Sequence, residues 1–276
     1  MKLRRVSLSV LGFLLASAVF SALPRVAPLM EGLSGSGQSP GYSRVPILCF
    51  HDLNGRGRYS ITSATFRHFM KRLRDENIAV IPLAEVVERS QNKRLLEKPA
   101  VAITVDDDYE GAVRIAAPIL REFGYPATFF VYTGGIHTDP AEGMSYDDLR
   151  RLLKEGFDVQ NHSHTHTAFH VPRKGESAAE YEQRLVVEIE DSRKILEKNL
   201  MGHKIRFFAY PMGYHTPALR ERVFKAGYEL VVTTDARPVD LTRPFNGSFD
   251  RRTIELDGGV AELIFEQAIQ IAKKAI

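Results

Sequence analysis

One cysteine, Cys49, serves a chain of 276 residues. A lone cysteine cannot form an internal disulfide, so no covalent framework holds this fold. Cys49 lies in an apolar run from Val45 to Phe50 and reads as a small buried hydrophobe rather than a nucleophile. No glycine-rich phosphate loop follows that run, which removes the usual signature of an open dinucleotide-binding sheet. Strong charge of one sign is also missing. The formal net charge of +3 comes from the N-terminus, where Lys2, Arg4, Arg5 and Arg25 stand with no acid among residues 1–30. Without those four, 33 basic residues face 34 acidic ones. The body therefore offers no basic patch for nucleic acid.

Residues 1–22 read as an export signal. A basic start precedes an apolar segment from Val6 to Ala22, and Ala16-Ser17-Ala18 fits a small-x-small cleavage site. About 17 mostly apolar residues also approach a spanning length. A cleaved leader and a retained membrane anchor both fit, and either puts the body outside the cytoplasm: periplasmic, at the cell surface or secreted. Residues 23–43 are expected to be a flexible linker, since 32–43 are rich in Gly, Ser and Pro. Residues 44–276 are expected to form a single domain, a length ordinary for an α/β barrel.

The body repeats one grammar. Helix-like segments end in Gly plus an aromatic (Gly124-Tyr125, Gly156-Phe157, Gly227-Tyr228), and a strand-like run follows. Glycine suits the left-handed residue that ends a helix. Ser145 with Asp148, and Ser177 with Glu180, have the spacing of capping boxes. Thr216-Pro217 places a cap before a proline at the first helical position. Strands are expected near 45–50, 78–81, 101–106, 127–132, 158–161, 207–210 and 230–234, alternating with helices as in a parallel sheet. A terminal helix is expected from Gly259 to Ala275.

Chemistry-bearing residues gather where those strands end. Val101 to Val105 run straight into Asp106, Asp107 and Asp108. Three adjacent carboxylates suit a solvated helix N-terminus or a cation site. Asn161-His162-Ser163-His164-Thr165-His166 follows a second strand and holds three of the nine histidines. Neutral imidazole is the commonest metal ligand near neutral pH. A polar loop with incidental histidines is the plain alternative, but a second site with paired Asp favours a metal. Phe207 to Gly213 and Phe50-His51-Asp52 end two more strands. The C-terminal ends of strands are where (β/α) barrels keep their active sites.

These stretches resemble the motifs of the polysaccharide deacetylases, carbohydrate esterase family 4. Thr104-Val105-Asp106-Asp107-Asp108 is similar to Thr-Phe-Asp-Asp-Gly, departing at Asp108. If the glycine position needs a positive φ, Asp tolerates it better than most. His162, Ser163 and His166 match His-[Ser/Thr]-x-x-His, with His164 on a variable position. Pro211 and Gly213 match Arg-x-Pro-Tyr-Gly, with Ala209 and Met212 where the family has Arg and Tyr. The resemblance implies a distorted (β/α)7-type barrel. It implies Asp106 as general base and Asp107, His162 and His166 as ligands of a divalent metal, with zinc expected. It further implies the backbone N–H of Met212 as oxyanion donor. Tyr109, Pro211, Gly213 and Tyr214 are the expected substrate contacts. The arginine that orients the base is missing at Ala209, with Arg251 or Arg252 as substitutes by charge alone.

The family's usual general acid, a histidine near the C-terminus, has no counterpart after His215. Phe50-His51-Asp52 is similar to a stretch that replaces it in the exopolysaccharide deacetylases, which implies His51 as general acid. His203 and His215 stand next in line. The implied activity is metal-dependent removal of N-acetyl groups from N-acetylglucosamine units of an extracytoplasmic polysaccharide, poly-N-acetylglucosamine first. The alternatives are a peptidoglycan or chitin-oligomer deacetylase, or an inactive polysaccharide-binding module on the same fold.

Overall fold

The computed structural model describes residues 41–137 and 144–276. The expected leader, residues 1–22, and the expected linker up to residue 40 lie outside the described residues. Residues 41–43, at the end of that linker, pair with the body: Tyr42 and Leu96 exchange backbone hydrogen bonds, and Leu241 N–H donates to the Ser43 carbonyl. Among the described residues no helix is long and apolar enough to cross a membrane.

Eight short parallel strands build the centre: β1 Ile47–Phe50, β2 Ala100–Asp106, β3 Thr128–Val131, β4 Asp158–Asn161, β5 Phe207–Ala209, β6 Leu230–Thr233, β7 Ser248–Asp250 and β8 Arg252–Thr253. Their spatial order is β7-β6-β5-β4-β3-β2-β1-β8. Only Arg251 separates β7, which pairs with β6, from β8, which pairs with β1. One segment thus bridges both edges of the sheet and closes it nearly into a barrel. The (β/α)7-type barrel is the observed architecture, its seventh strand split at Arg251. That strand is not among those expected from the sequence. The expected strand at 78–81 shrinks to Ala79–Val80, which pairs with the start of β2 and stays off the barrel path.

The helices are α1 Ser63–Asp75, α2 Leu83–Asn92, α3 Ala117–Phe123, α4 Tyr146–Lys154, α5 Ala178–Leu185, α6 Ser192–Asn199, α7 Pro217–Lys225 and α8 Gly259–Ala272. Capping boxes form at Ser145 and Ser177, and Thr216 caps α7 ahead of Pro217. α8 stops three residues short of the expected Ala275. A π-helical turn, Ala112–Ala116, leads into α3, and a second, Val186–Asp191, joins α5 to α6.

Strand periodicity sorts the core into two layers. Leu48, Phe50, Ile103, Val105, Phe129, Val131 and Val159 join the larger cluster with the helices. Ile47, Ala102, Phe130, Ala209, Val232 and Phe249 form a separate cluster. Successive strand residues point to opposite faces, so the second set marks the barrel interior. Cys49, His51, Thr104, Asp106, Gln160, His162 and Arg251 share its parity. The chemistry expected at the strand ends is thereby aimed inward.

Candidate active site

Asp106 is the last residue of β2 and is buried, as is its neighbour Asp107. Their side chains do different things. Both Asp106 oxygens accept from Arg251: Nη1 to Oδ1 at 2.6 Å and Nη2 to Oδ2 at 2.7 Å. Arg251 is fully buried, donates also to Thr104 Oγ1 and the Thr233 carbonyl, and lies 5.3 Å from the centroid of the Phe130 ring. Burial alone would push the Asp106 carboxyl up. The Arg251 guanidinium, with His162 adding to it, reverses this and holds Asp106 below the usual carboxylate range. Of the two arginines considered by charge, Arg251 is the one that bonds Asp106. Arg252 turns outward, its Nη1 donating to Gln267 at the surface.

Asp107 meets the two histidines instead. Its Oδ1 lies 3.5 Å from His162 Nε2 and 3.1 Å from His166 Nε2. That oxygen is buried and has no hydrogen-bond partner. Burial, with the Asp106 and Asp108 carboxylates beside it, raises the Asp107 carboxyl to about 8. His162 Nδ1 donates to the Ala209 carbonyl at 2.9 Å. A carbonyl only accepts, so Nδ1 holds the proton and Nε2 presents its lone pair. Burial lowers the His162 pKa to about 3, and burial also lowers that of His166. Oδ1 of Asp107, without a hydrogen-bond partner, thus faces the Nε2 lone pair of His162 at 3.5 Å. Asp107, His162 and His166 offer ligand atoms within 4.8 Å of one another, and this donor set fits a divalent cation.

A second cluster, Cys49, His51 and Asp106, is equally compact, yet it does not suit a metal. Arg251 already occupies both Asp106 oxygens, and burial pushes the Cys49 thiol far up. His51 belongs to this cluster and sits beside Tyr59, their ring centroids 5.4 Å apart. Its Nδ1 is buried without a partner. Burial lowers its pKa against the opposing pull of Asp106. The carboxylate that favours the charged form of His51 is therefore Asp106, and burial outweighs it. Asp52 turns away to accept from Leu53 N–H.

The backbone at this end is strained. Asp107 (φ 75), Ser163 (φ 80), His166 (φ 53) and Met212 (φ 59) are left-handed without being glycine. Such residues concentrate at functional sites, where the surroundings over-determine them. The positive φ anticipated at Asp108 falls on Asp107. Asp108 instead packs against Gly135, where a Cβ would stand 2.0 Å from Asp108 Oδ2, and it accepts from the Tyr132 phenol. Tyr132 in turn stacks on His166, centroids 5.1 Å apart. His162 and His166 share no helical face. The loop wraps through left-handed Ser163 and ends on left-handed His166, and His164 is drawn off by Thr133 Oγ1 at 2.7 Å.

Pro211 is buried at the end of β5, and Met212 and Tyr214 are exposed. Gly213 (φ 73) leaves no room for a side chain, since a Cβ would stand 2.0 Å from Thr234 Oγ1. Tyr109 is exposed on the loop after β2. Of the other histidines, His215 lies 3.8 Å from Asp235 beyond the Met212 turn. His203 sits at the start of β4, at the opposite end of the barrel, 3.1 Å from Asp158.

The chain resembles known proteins. The poly-beta-1,6-N-acetyl-D-glucosamine N-deacetylase of Staphylococcus aureus (strain MRSA252) is 25% identical over 180 residues, which cover 62% of this chain and 61% of that protein. The chain spans between 61% and 65% of the length of the curated relatives it matches first. Among solved structures, IcaB from Ammonifex degensii superposes with a TM-score of 0.70 at 21% identity, covering 84% of this chain and 98% of that one. The Streptococcus pyogenes deacetylase PplD gives 0.69 at 21% identity, covering 84% and 100%. At such identity these structures speak for the fold. The family model described as polysaccharide deacetylase matches residues 93–231, half of the chain and the stretch that contains both acids, the histidine loop and the Met212 turn. The chain belongs to the polysaccharide deacetylase family.

Proposed function

We propose that this chain is a metal-dependent hydrolase that removes N-acetyl groups from N-acetylglucosamine units of an extracytoplasmic polysaccharide, with poly-N-acetylglucosamine as the substrate. The observation that carries this reading is the divided acid pair. Asp106 is locked to Arg251, while Asp107 Oδ1 is left without a donor and faces two imidazole nitrogens. Family membership and the name of the staphylococcal relative support the reaction and the glycan.

Asp107, His162 and His166 hold the cation, zinc in our reading. When bound, it supplies Lewis-acid polarisation and activates water near neutral pH. Asp106 acts as general base and takes the proton of the water that attacks the acetamide carbon. Arg251 keeps that carboxylate ionised and oriented through two parallel hydrogen bonds. The Met212 N–H, presented by a left-handed turn, donates to the oxygen that gains charge in the tetrahedral intermediate. His51 protonates the nitrogen as the carbon–nitrogen bond breaks, leaving acetate and a free amine. Burial keeps His51 neutral at rest, so its proton comes from the reaction, with Asp106 as the neighbouring source. Tyr109, Tyr214, Pro211 and Gly213 border the space where the sugar lies. The departures at Asp108, Ala209 and Met212 kept a catalytically silent binding module in view, and the Arg251–Asp106 pair weakens the part of that case that rests on Ala209.

The test is acetate release by the zinc-loaded chain from acetylated poly-N-acetylglucosamine, chitin oligomers and peptidoglycan. The expected result is release that chelation abolishes and zinc restores, fastest with poly-N-acetylglucosamine. Binding of all three glycans without acetate release would sink the hydrolase. Faster release from either other glycan would sink the substrate assignment.

A further inference from the structure

We infer that Glu188 is the positioning residue of the histidine loop: its buried carboxylate holds the two-histidine loop in the conformation that lets His162 and His166 share a cation. The inference rests on the metal reading of Asp107, His162 and His166. Glu188 is 2% exposed and lies 22 positions beyond His166 in the sequence, outside every motif.

Its oxygens are committed to the loop. Oε2 accepts from the His164 N–H and the Thr165 N–H, both at 2.9 Å, and Oε1 accepts from Thr165 Oγ1. Consecutive backbone N–H groups converging on one oxygen make a nest for an anion. Here the chain supplies the anion itself. The nest is flanked by Ser163 (φ 80) and His166 (φ 53), conformations that non-glycine residues avoid unless something holds them. Glu188 fastens the stretch between them.

The same helical segment grips the loop at its root. Asn161 Oδ1 accepts from the Ser163 N–H at 3.0 Å, and Asn161 Nδ2 donates to Ser192 Oγ at 2.7 Å. Ser192 Oγ in turn donates to the Glu188 carbonyl at 2.7 Å. Glu188 sits in the π-helical turn Val186–Asp191. A π-turn inserts one residue into the helical ladder and re-aims the side chains around it, a device common beside functional sites. A carboxylate that only stabilised the fold could bond to any surface group. This one bonds the two backbone groups between the expected metal ligands, while touching neither imidazole.

Three variants of the full chain test this: Glu188→Gln, Glu188→Asp and Glu188→Ala. Affinity for Zn2+ is measured by chelator competition, the Co2+ absorption spectrum reports ligand geometry, and metal-free thermal unfolding serves as the stability control. Gln keeps an acceptor oxygen of the right reach, so its Zn2+ affinity should stay within roughly threefold of the parent. Asp is one methylene short and Ala has no acceptor, so both should lose about 10–100-fold with a changed Co2+ spectrum, the range for loss of an outer hydrogen-bond partner. Glu188→Asp carries the test if Glu188→Ala does not fold. Parent-like affinity and spectrum in Asp or Ala, with only a lowered unfolding temperature, would reduce Glu188 to a structural role. Equal losses in Gln and Ala would show that charge, not hydrogen-bond register, matters, and would also overturn the inference. A parent chain that binds neither Zn2+ nor Co2+ would overturn the metal reading itself, a distinguishable result.

Discussion

Strand β4 has a histidine–aspartate encounter at each end, and the two behave oppositely. At its start His203 Nε2 donates to Asp158 Oδ1 at 3.1 Å and to the Val159 carbonyl at 3.1 Å, and the hydrogen bond to Asp158 raises the histidine's pKa. Just past its end His162 Nε2 lies 3.7 Å from Asp106 and 3.5 Å from Asp107, and its pKa falls to about 3. Two things separate the ends. His203 keeps contact with water, whereas His162 is buried. Asp158 accepts the histidine's proton directly, whereas Asp106 is already bonded to Arg251. Proximity to a carboxylate therefore does not decide whether a histidine is charged. Burial and prior commitment of the carboxylate decide it, and they leave one end of the barrel with uncharged imidazoles around Asp107.

The comparison breaks most sharply at the acid pair. Asp107→Ala should strip bound metal and turnover together. Asp106→Asn should keep the metal while turnover falls by roughly 10²–10⁴, the usual worth of a general base. Metal content by elemental analysis, set beside acetate release, separates the two. Equal metal loss in both variants would mean the division of labour is wrong. His51→Ala should match the Asp106 variant in turnover, by roughly 10²–10⁴, with metal content and fold intact. Unchanged turnover would transfer the role to His215, since His203 is at the other end of the barrel.

Arg251→Ala removes the partner that makes Asp106 an anion at all. Breaking this buried pair should cost about 3–5 kcal/mol of stability, read by urea unfolding. A loss below about 1 kcal/mol, the scale of exposed pairs, would show that water reaches Asp106. His164→Ala should disturb less: its ring bonds Thr133, not the cation site, so Zn2+ affinity should fall less than in either His162→Ala or His166→Ala. The reverse order would mean that the ligand set is misassigned.

What the sequence disclosed and what it hid follow from chain distance and residue chemistry. Asp106, Asp107, His162 and His166 were legible because each pair is local and each follows an apolar run that announces a strand end. Arg251 was legible only as one of two candidates by charge, because its partner Asp106 is 145 positions away and because arginine reads as surface. The strand holding it was missed for the same reason. Ser248-Phe249-Asp250-Arg251-Arg252-Thr253 has only Phe249 to mark a core face, although Phe249 and Arg251 are both buried. Glu188 left no signal, since the helix around it reads as an ordinary amphipathic one and the π-turn has no composition of its own. The Asp107 backbone shows a subtler limit. The motif's glycine raised the condition of a positive φ at Asp108, and the structure has it one residue earlier, at Asp107.

The smallest expected effect lies at the far end of β4 and tests the rule from the other side. Asp158→Asn should return the His203 pKa toward its ordinary value near 6.5. His203 is raised in the folded chain, so the stability it contributes is fully present below the unfolded value near 6.5 and is lost as pH rises through the folded value. Both partners are about 30% exposed, 28% for His203 and 31% for Asp158, so the pair is worth only about 0.2–1 kcal/mol after screening. Asp158 also accepts from Gln160 Nε2 at 3.0 Å, which leaves a small offset that does not vary with pH. Urea unfolding at pH 5.5 and at pH 8.5 separates the two contributions. The variant should fall further below the parent at pH 5.5 than at pH 8.5, with the gap narrowed by salt. A gap of equal size at both values would show that His203 is held by the Val159 carbonyl alone, and that the far end of β4 obeys no charge rule.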